Sequence, residues 1–274
     1  MNTPADRAVQ ITSRDNPWVK QLRRLSQDPA AYKKLGAIWV EGEHLCQAAL
    51  RSNCRPKQIW VAQSAWLQPT PALRDLLTQQ LPHPHAQQIM VVADPVWHTF
   101  SALESPARIG MVLERPAHSD LIPTAASVVL DRVQDAGNVG SILRSAAAFG
   151  FQQVLALKGT AALWSPKVLR AGMGAHFGLR LMEGLLPSDL ARLHVPIVAT
   201  SSHAGRGLSQ VTLPWPCAWA FGHEGQGLDT PVASLATVSV RIAQPGGQES
   251  LNVAAAAAIC LHASVCALTA GEAS

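Results

Sequence analysis

A chain of 274 residues, 48% apolar and only 15% charged, has the material for one large or two ordinary packed domains and excludes a largely disordered protein. Its net charge of +4 is uneven: residues 1–115 hold 13 Lys and Arg against 9 Asp and Glu, residues 116–274 hold 9 of each, and residues 14–57 hold 9 against 4. A basic N-terminal part joined to a neutral C-terminal part points to a polyanion partner for the former.

Residues 1–10, MNTPADRAVQ, read as a loose tail and lack the apolar core of a secretory leader. In 17–27, Val19, Leu22 and Leu25 recur at helical spacing with Lys20, Arg23 and Arg24 on the other side. A second helical piece, Pro29 to Leu35, adds Lys33 and Lys34. Ala37 to Val40 reads as a strand ending at Glu41-Gly42-Glu43, and His44 to Leu50 as a helix. Gln58 to Ala62 is a strand and Pro71 to Gln80 a helix. In the breaker run from Leu81 to His85, His83 and His85 flank a proline. Without a third ligand nearby they predict a solvated loop, not a metal site. Gln88 to Val92 (strand), Pro95 to Ala102 (helix) and Ile109 to Leu113 (strand) complete one small α/β domain. Trp18, Trp39, Trp60, Trp66 and Trp97 fall within it. Most are expected in the core, with one or two open to stacking on bases.

Residues 114–125, with two prolines, read as a linker. Ser127 to Leu130 is a buried-type strand, Asp131 to Gly140 a loop, and Ser141 to Phe149 a helix stopped by Gly150. Gln153 to Leu157 is a strand, and Ser165-Pro166 starts a helix through Arg170. His194 to Thr200, Cys217 to Phe221 and Val238 to Ile242 are further strands. This alternation implies a mostly parallel sheet covered on both faces, which binds ligands at the carboxyl ends of its strands. After Pro245, Gly246 and Gly247, Ser250 is placed to cap a long alanine-rich helix. Leu251 to Ala270 is apolar, but Asn252, His262, Ser264 and Thr269 lie inside it. A buried helix at a subunit contact explains it better than a membrane span. Cys46, Cys54, Cys217, Cys260 and Cys266 form no CxxC pair and no zinc spacing, and no metal site is expected. An odd cysteine count fits a reducing cytoplasm, with Cys260 and Cys266 read as core residues.

Three glycine-rich loops, Asp131–Gly140, Gly222–Gly227 and Ala243–Gly247, each follow a strand and carry or adjoin polar side chains: Asn138 with Arg144, Glu224, and Ser250 with Asn252. GxGxxG, GK[ST] and GxSxG are all absent, which argues against dinucleotide, P-loop and nucleophile-elbow sites. The segments DRVQDAGNVGSILRSAAAFG, FGHEGQGL and RIAQPGGQESLNVAAAAAI, in this order, resemble motifs one to three of the SpoU (TrmH-like) RNA 2′-O-ribose methyltransferases of the SPOUT superfamily. SPKVLRAGMGAHFGL resembles the stretch between motifs one and two. ITSRDNPWVKQLRRL, IWVEGEHL and the Ile109-Gly110 ending are similar to the family's N-terminal RNA-binding domain. Three departures stand out: His223 for a usual asparagine, Ala136 for a common proline, and Gly172 for a frequent serine.

The resemblance implies an α/β SPOUT-type parallel sheet with a C-terminal deep trefoil knot at 126–274, preceded by a small α/β RNA-binding domain at 11–113. It implies a homodimer, and methyl transfer from S-adenosyl-L-methionine to a ribose 2′-hydroxyl of rRNA or tRNA. Arg144 is expected to clamp phosphate and stabilise the developing oxyanion, since a guanidinium holds its proton too tightly to act as a base. Asn138 is expected to orient Arg144 or the ribose. Glu224 would fix its loop or meet the dimer partner, and Ser250 and Asn252 would face the substrate or the cofactor edge. Cofactor contacts are expected at Thr200, Gly222, Glu224, Gly227, Ile242, Ser250 and Leu251. RNA contacts are expected at Arg14, Lys20, Arg23, Arg24, Lys33 and Lys34. A non-catalytic RNA-binding member of the fold and a base-methylating one remain as alternatives.

Overall fold

The structure, a computed structural model, describes residues 8–80, 88–101, 107–117, 120–201, 205–246 and 251–272. His83, His85, Gly247 and Ser250 lie outside them, as do the first seven residues of the expected tail. The chain divides into two compact units: the described residues of Met1–Pro116 with Trp164–Arg170, and those of Ala117–Leu163 with Ala171–Ser274.

In the first unit, β1 (Ala8–Ile11), α1 (Pro17–Gln27), α2 (Ala31–Leu35), β2 (Ala37–Glu41) and α3 (Glu43–Arg51) are followed by β3 (Pro56–Ala62), α4 (Gln63–Leu67), α5 (Pro71–Gln80), β4 (Gln88–Val92), α6 (Asp94–Trp97) and β5 (Ile109–Glu114). The sheet order is β1-β4-β3-β5-β2. β1, β4 and β3 run parallel, and β5 is antiparallel to both its neighbours. Residues 8–10, expected in a loose tail, instead form most of an edge strand, because β4 offers them a free parallel edge. Asn16 caps α1 by accepting from the Trp18 N–H at 2.9 Å, and Val19, Leu22 and Leu25 are buried as the spacing required. The helix expected over Pro95–Ala102 stops at Trp97.

Trp39, Trp60, Trp97 and Phe100 form one buried aromatic cluster, with ring centroids 5.0–6.3 Å apart, so these three tryptophans are core and present no face to a base. Trp39 lies across Gly110, where an added Cβ would come within 2.1 Å of the indole. Hydrogen at that position is what lets β5 pass beneath the ring.

The chain continues with β6 (Ser127–Leu130), α7 (Ala136–Ala148), β7 (Gln153–Leu157), α8 (Pro166–Gly172), β8 (Arg180–Leu185), β9 (Ile197–Thr200), β10 (Arg206–Gly207), β11 (Ala218–Phe221), α9 (Thr230–Ala233), β12 (Val238–Arg241) and α10 (Val253–Glu272), all in the second unit except α8, which groups with the first as far as Arg170. The second unit's seven strands, in the order β10-β12-β9-β11-β6-β7-β8, are all parallel. Alternation along β11 divides its side chains between two layers. Ala218 and Ala220 join a core with Val129, Leu155, Met182 and Ile197, while the Trp219 indole donates to the Ser264 hydroxyl of α10 at 2.9 Å. β8 and β10 were not expected. β8 carries Glu183 and a bulged Gly184 at φ 73° where its register against β7 shifts, which hides the strand pattern.

Glu114 closes β5 and Leu121 joins the core, so only part of 114–125 is connecting chain. Cys260 is buried as expected, but Cys266 is exposed, four residues along the same helix from His262, whose ring its sulfur meets at 3.6 Å. Burial pushes the thiols of Cys217 and Cys260 up to about 11 and about 12, which keeps them unreactive. Among the described residues no helix is long and apolar enough to cross a membrane, and no group of three or more His, Cys, Asp or Glu is placed to hold a metal ion.

Gly110→Ala forces the indole of Trp39 out of its seat. Urea denaturation should show a loss of about 1–3 kcal/mol, the usual scale of overpacking.

Candidate functional site

β12, β9, β11 and β6 are consecutive neighbours and parallel, so the residues that follow Arg241, Thr200, Phe221 and Leu130 all emerge on one edge of the sheet. This is where an open parallel sheet binds its ligands. The first loop is shorter than expected. α7 begins at Ala136, not Ser141, because Asp135 caps it, with its carboxylate accepting from the Asn138 N–H at 2.8 Å. Asn138 is therefore a first-turn residue of the helix that closes the first loop.

The second loop is a tight hairpin. His223 and Gly227 exchange backbone hydrogen bonds at 2.9 and 3.0 Å. A Cβ on Gly222 would lie 2.2–2.3 Å from the backbone of Gly227 and Leu228, so this crossing requires glycine. His223 accepts from the Gly225 N–H through Nδ1 at 3.0 Å. An asparagine side chain closes such a turn with its carbonyl oxygen, and the imidazole supplies the same acceptor. That accounts for one of the three departures from the motif.

At the tip, Glu224 accepts from the backbone N–H groups of Gln134 and Asp135 at 3.3 and 3.2 Å and from the Asn138 side chain at 3.1 Å. Burial works against its charge, but these hydrogen bonds outweigh it and hold the carboxyl below its ordinary range. Asn138 in turn accepts from the Asn252 amide at 2.9 Å. Asn252 caps α10, its own oxygen accepting from Ala254 and Ala255 at 2.9 and 3.2 Å. Asn252 thus caps the helix, while Ser250, where a cap was expected, lies outside the described residues. Glu224, Asn138 and Asn252 form a continuous chain of hydrogen bonds joining the three loops.

Arg144 stands apart from this chain. It lies six residues beyond Asn138 on α7, about 9 Å along the axis and a third of a turn off that face by helix geometry. The Asn138 amide bonds to Glu224 and Asn252 and, among the described residues, not to Arg144. Arg144 is exposed, with no hydrogen bond or ion pair among the described residues, and is free to meet an anion. The Thr200 hydroxyl bonds to the Ala220 carbonyl at 3.3 Å, Ile242 is half-buried, and Leu251 is exposed. Gln244, two residues past Ile242, carries a buried side-chain oxygen with no donor.

Residues that the pattern had not singled out brace the same edge. Buried Asp131 accepts from the Asp229 N–H at 2.6 Å, and Arg132 binds across to Gln226 and Gly227 at 3.0 and 3.4 Å. Arg132 has φ 59°, a left-handed conformation costing roughly 1–2 kcal/mol for a residue with a Cβ. Sequence offers no signal for that. The Asp135 cap was legible in principle, as an acidic residue just before a helix start.

The Gly172 departure also has a cause. His176 is buried beside it, and a Cβ at Gly172 would come within 2.5 Å of the imidazole. A serine there cannot coexist with this histidine. In the first unit, Arg14, Lys20, Arg24, Lys33 and Lys34 are exposed. Arg23 is not freely presented, since it is half-buried and donates to the Thr99 hydroxyl at 3.0 Å.

Residues 125–262 match the model of the SpoU rRNA methylase family. A tRNA/rRNA methyltransferase of Synechocystis is 34% identical over 263 residues, with 92% of each chain covered. The 23S rRNA (guanosine(2553)-2′-O)-methyltransferase RlmP of Bacillus subtilis is 30% identical over 92% of this chain and 98% of its own. The crystal structure of an AdoMet-bound rRNA methyltransferase from Sinorhizobium meliloti matches with a TM-score of 0.81 at 25% identity, over 94% of this chain and 97% of that one.

Burial lowers the His176 pKa from 6.5 to about 4, against the opposing hydrogen bond to the Leu163 carbonyl. The unfolded chain therefore binds the extra proton between those values, and stability present above pH 6.5 is lost as pH falls toward 4, by on the order of 3 kcal/mol. Thermal melts across this range should show a steeper acid decline in the native chain than in His176→Gln.

Proposed function

The chain belongs to the SpoU rRNA methylase family, and on that premise we propose that it transfers a methyl group from S-adenosylmethionine to a ribose 2′-hydroxyl of ribosomal or transfer RNA. The observation that carries this reading is the hydrogen-bonded chain Glu224–Asn138–Asn252, which joins three strand-end loops into one cradle. The residues fit the cofactor. The Gly222–Gly227 hairpin exposes glycine backbone at the strand ends, and the Gln244 oxygen, with no donor among the described residues, is an acceptor suited to an amino group. Backbone at Thr200, Gly222, Gly227, Ile242 and Leu251 would hold the cofactor, together with the fixed Glu224 and with Ser250, the latter named from the sequence alone.

When bound, S-adenosylmethionine supplies a methyl group on a sulfonium, already a strong electrophile. The protein's part is placement and charge stabilisation. Glu224 is unsuited to serve as a base, since three donors occupy its carboxylate and lower its basicity. Together with Asn138 and Asn252 it fixes the cradle. Arg144, exposed and uncommitted among the described residues, is the residue for the RNA, clamping a phosphate and stabilising the negative charge that develops on the 2′-oxygen as the hydroxyl proton passes to solvent water.

The knotted C-terminal path and the homodimer belong to the same proposal. The chain leaves β12, two strands from β11, and returns as α10 to pack on β11 and α7, a route that suits threading. α10 leaves Ile259 41% exposed among small residues, which suits close approach of a second copy. Arg14, Lys20, Arg24, Lys33 and Lys34 would meet RNA phosphates with salt-dependent affinity, in a cytoplasmic setting.

Arg144→Ala should abolish methyl incorporation from radiolabelled cofactor while calorimetric binding of S-adenosylmethionine stays within about twofold. Equal turnover in variant and native enzyme would remove Arg144 from the reaction. Mass spectrometry of RNA from a deletion strain should show one 2′-O-methyl missing, and a missing base methyl instead would overturn the ribose assignment.

A further inference from the structure

Arg132 follows β6 directly and keeps its left-handed backbone, φ 59°, because its surroundings fix it from several sides. Its Nε and one terminal nitrogen donate to the two oxygens of Asp131 at 3.1 and 3.4 Å. The other terminal nitrogen donates to Gln226 Oε1 at 3.0 Å, and the first also reaches the Gly227 carbonyl at 3.4 Å. The Asp229 carboxylate lies 4.0 Å away. The backbone N–H of Arg132 is taken by the Thr160 hydroxyl at 3.1 Å. Behind the side chain, Gly159 at φ 92° leaves space that a Cβ would narrow to 3.0 Å from Cγ.

We infer that Arg132 is a positioning residue for S-adenosylmethionine, holding Gln226 and the Gly227 carbonyl so that the second loop keeps the shape that receives the cofactor. This rests on the function proposed above. The loop contains glycine at 222, 225 and 227, so its backbone is intrinsically free to take several shapes. Glu224 ties its tip to the first turn of α7, and Arg132 ties its returning arm to the end of β6. Only a planar fork of donors can serve Asp131, Gln226 and Gly227 together. With the fork removed, the loop must be ordered on binding, so affinity falls without loss of a direct contact.

The test uses the full chain. Asparagine adopts the left-handed conformation readily, so Arg132→Asn removes the fork and keeps the backbone. Calorimetry should show S-adenosylmethionine binding weakened about tenfold, with KM for the cofactor rising in step and kcat changing less than about threefold. The cofactor-free Tm should fall by about 3–10 °C with unfolding still cooperative, since the buried Asp131 carboxylate keeps the Asp229 N–H as a donor. Gln226→Ala, which leaves the Asp131 pair intact, should weaken binding by about threefold. Cofactor affinity within twofold of the native chain in Arg132→Asn would overturn the inference, as would an affinity loss accompanied by loss of cooperative unfolding. A native chain that fails to bind the cofactor at all would overturn the proposed function itself, which separates the two failures.

Discussion

The side-chain amide of Asn138 is a donor at one end and an acceptor at the other, and the site depends on that polarity. Its NH2 meets a carboxylate and its oxygen meets another amide, so three loops from distant parts of the chain close on one another with matched partners. An aspartate in its place would set two carboxylates face to face, and a serine would not span the gap. The same residue lies in the first turn of α7, whose Asp135 cap fixes where the amide stands. Helix start, loop tip and last-helix cap are one connected arrangement.

Much of this was legible in the sequence. β6, β7 and β11 are short apolar runs bounded by turn residues, and each was found within a residue or two. The five-residue error at the start of α7 came from Gly137 and Gly140, which read as loop but sit in a helix. Gly140 is buried, and Gly137 lies over the Asp135 cap, where a Cβ would come within 2.9 Å of its carboxylate. β8 stayed hidden behind its bulge. Arg132 could not be found at all, because a backbone angle leaves no mark in residue type when the residue is not glycine.

Two of the three departures from the motif pattern show compensation at the atomic scale, while nothing in the structure explains Ala136. His223 keeps the turn because an imidazole nitrogen accepts where an amide oxygen usually does. Gly172 and His176 form a pair in which the absent side chain of one is filled by the ring of the other. Judged position by position, each substitution looks like a defect. Each keeps the local geometry once its neighbour is known.

The hydrogen bonds that join the loops connect residues 86 and 114 positions apart. Such non-local closures bring little reward until the intervening chain has been ordered. A partly folded or newly emerging chain, with its sheet begun but α10 not yet docked, therefore has the strands of the site without its cradle. The cradle closes only when α10 docks, because the cap of that last helix supplies its third member.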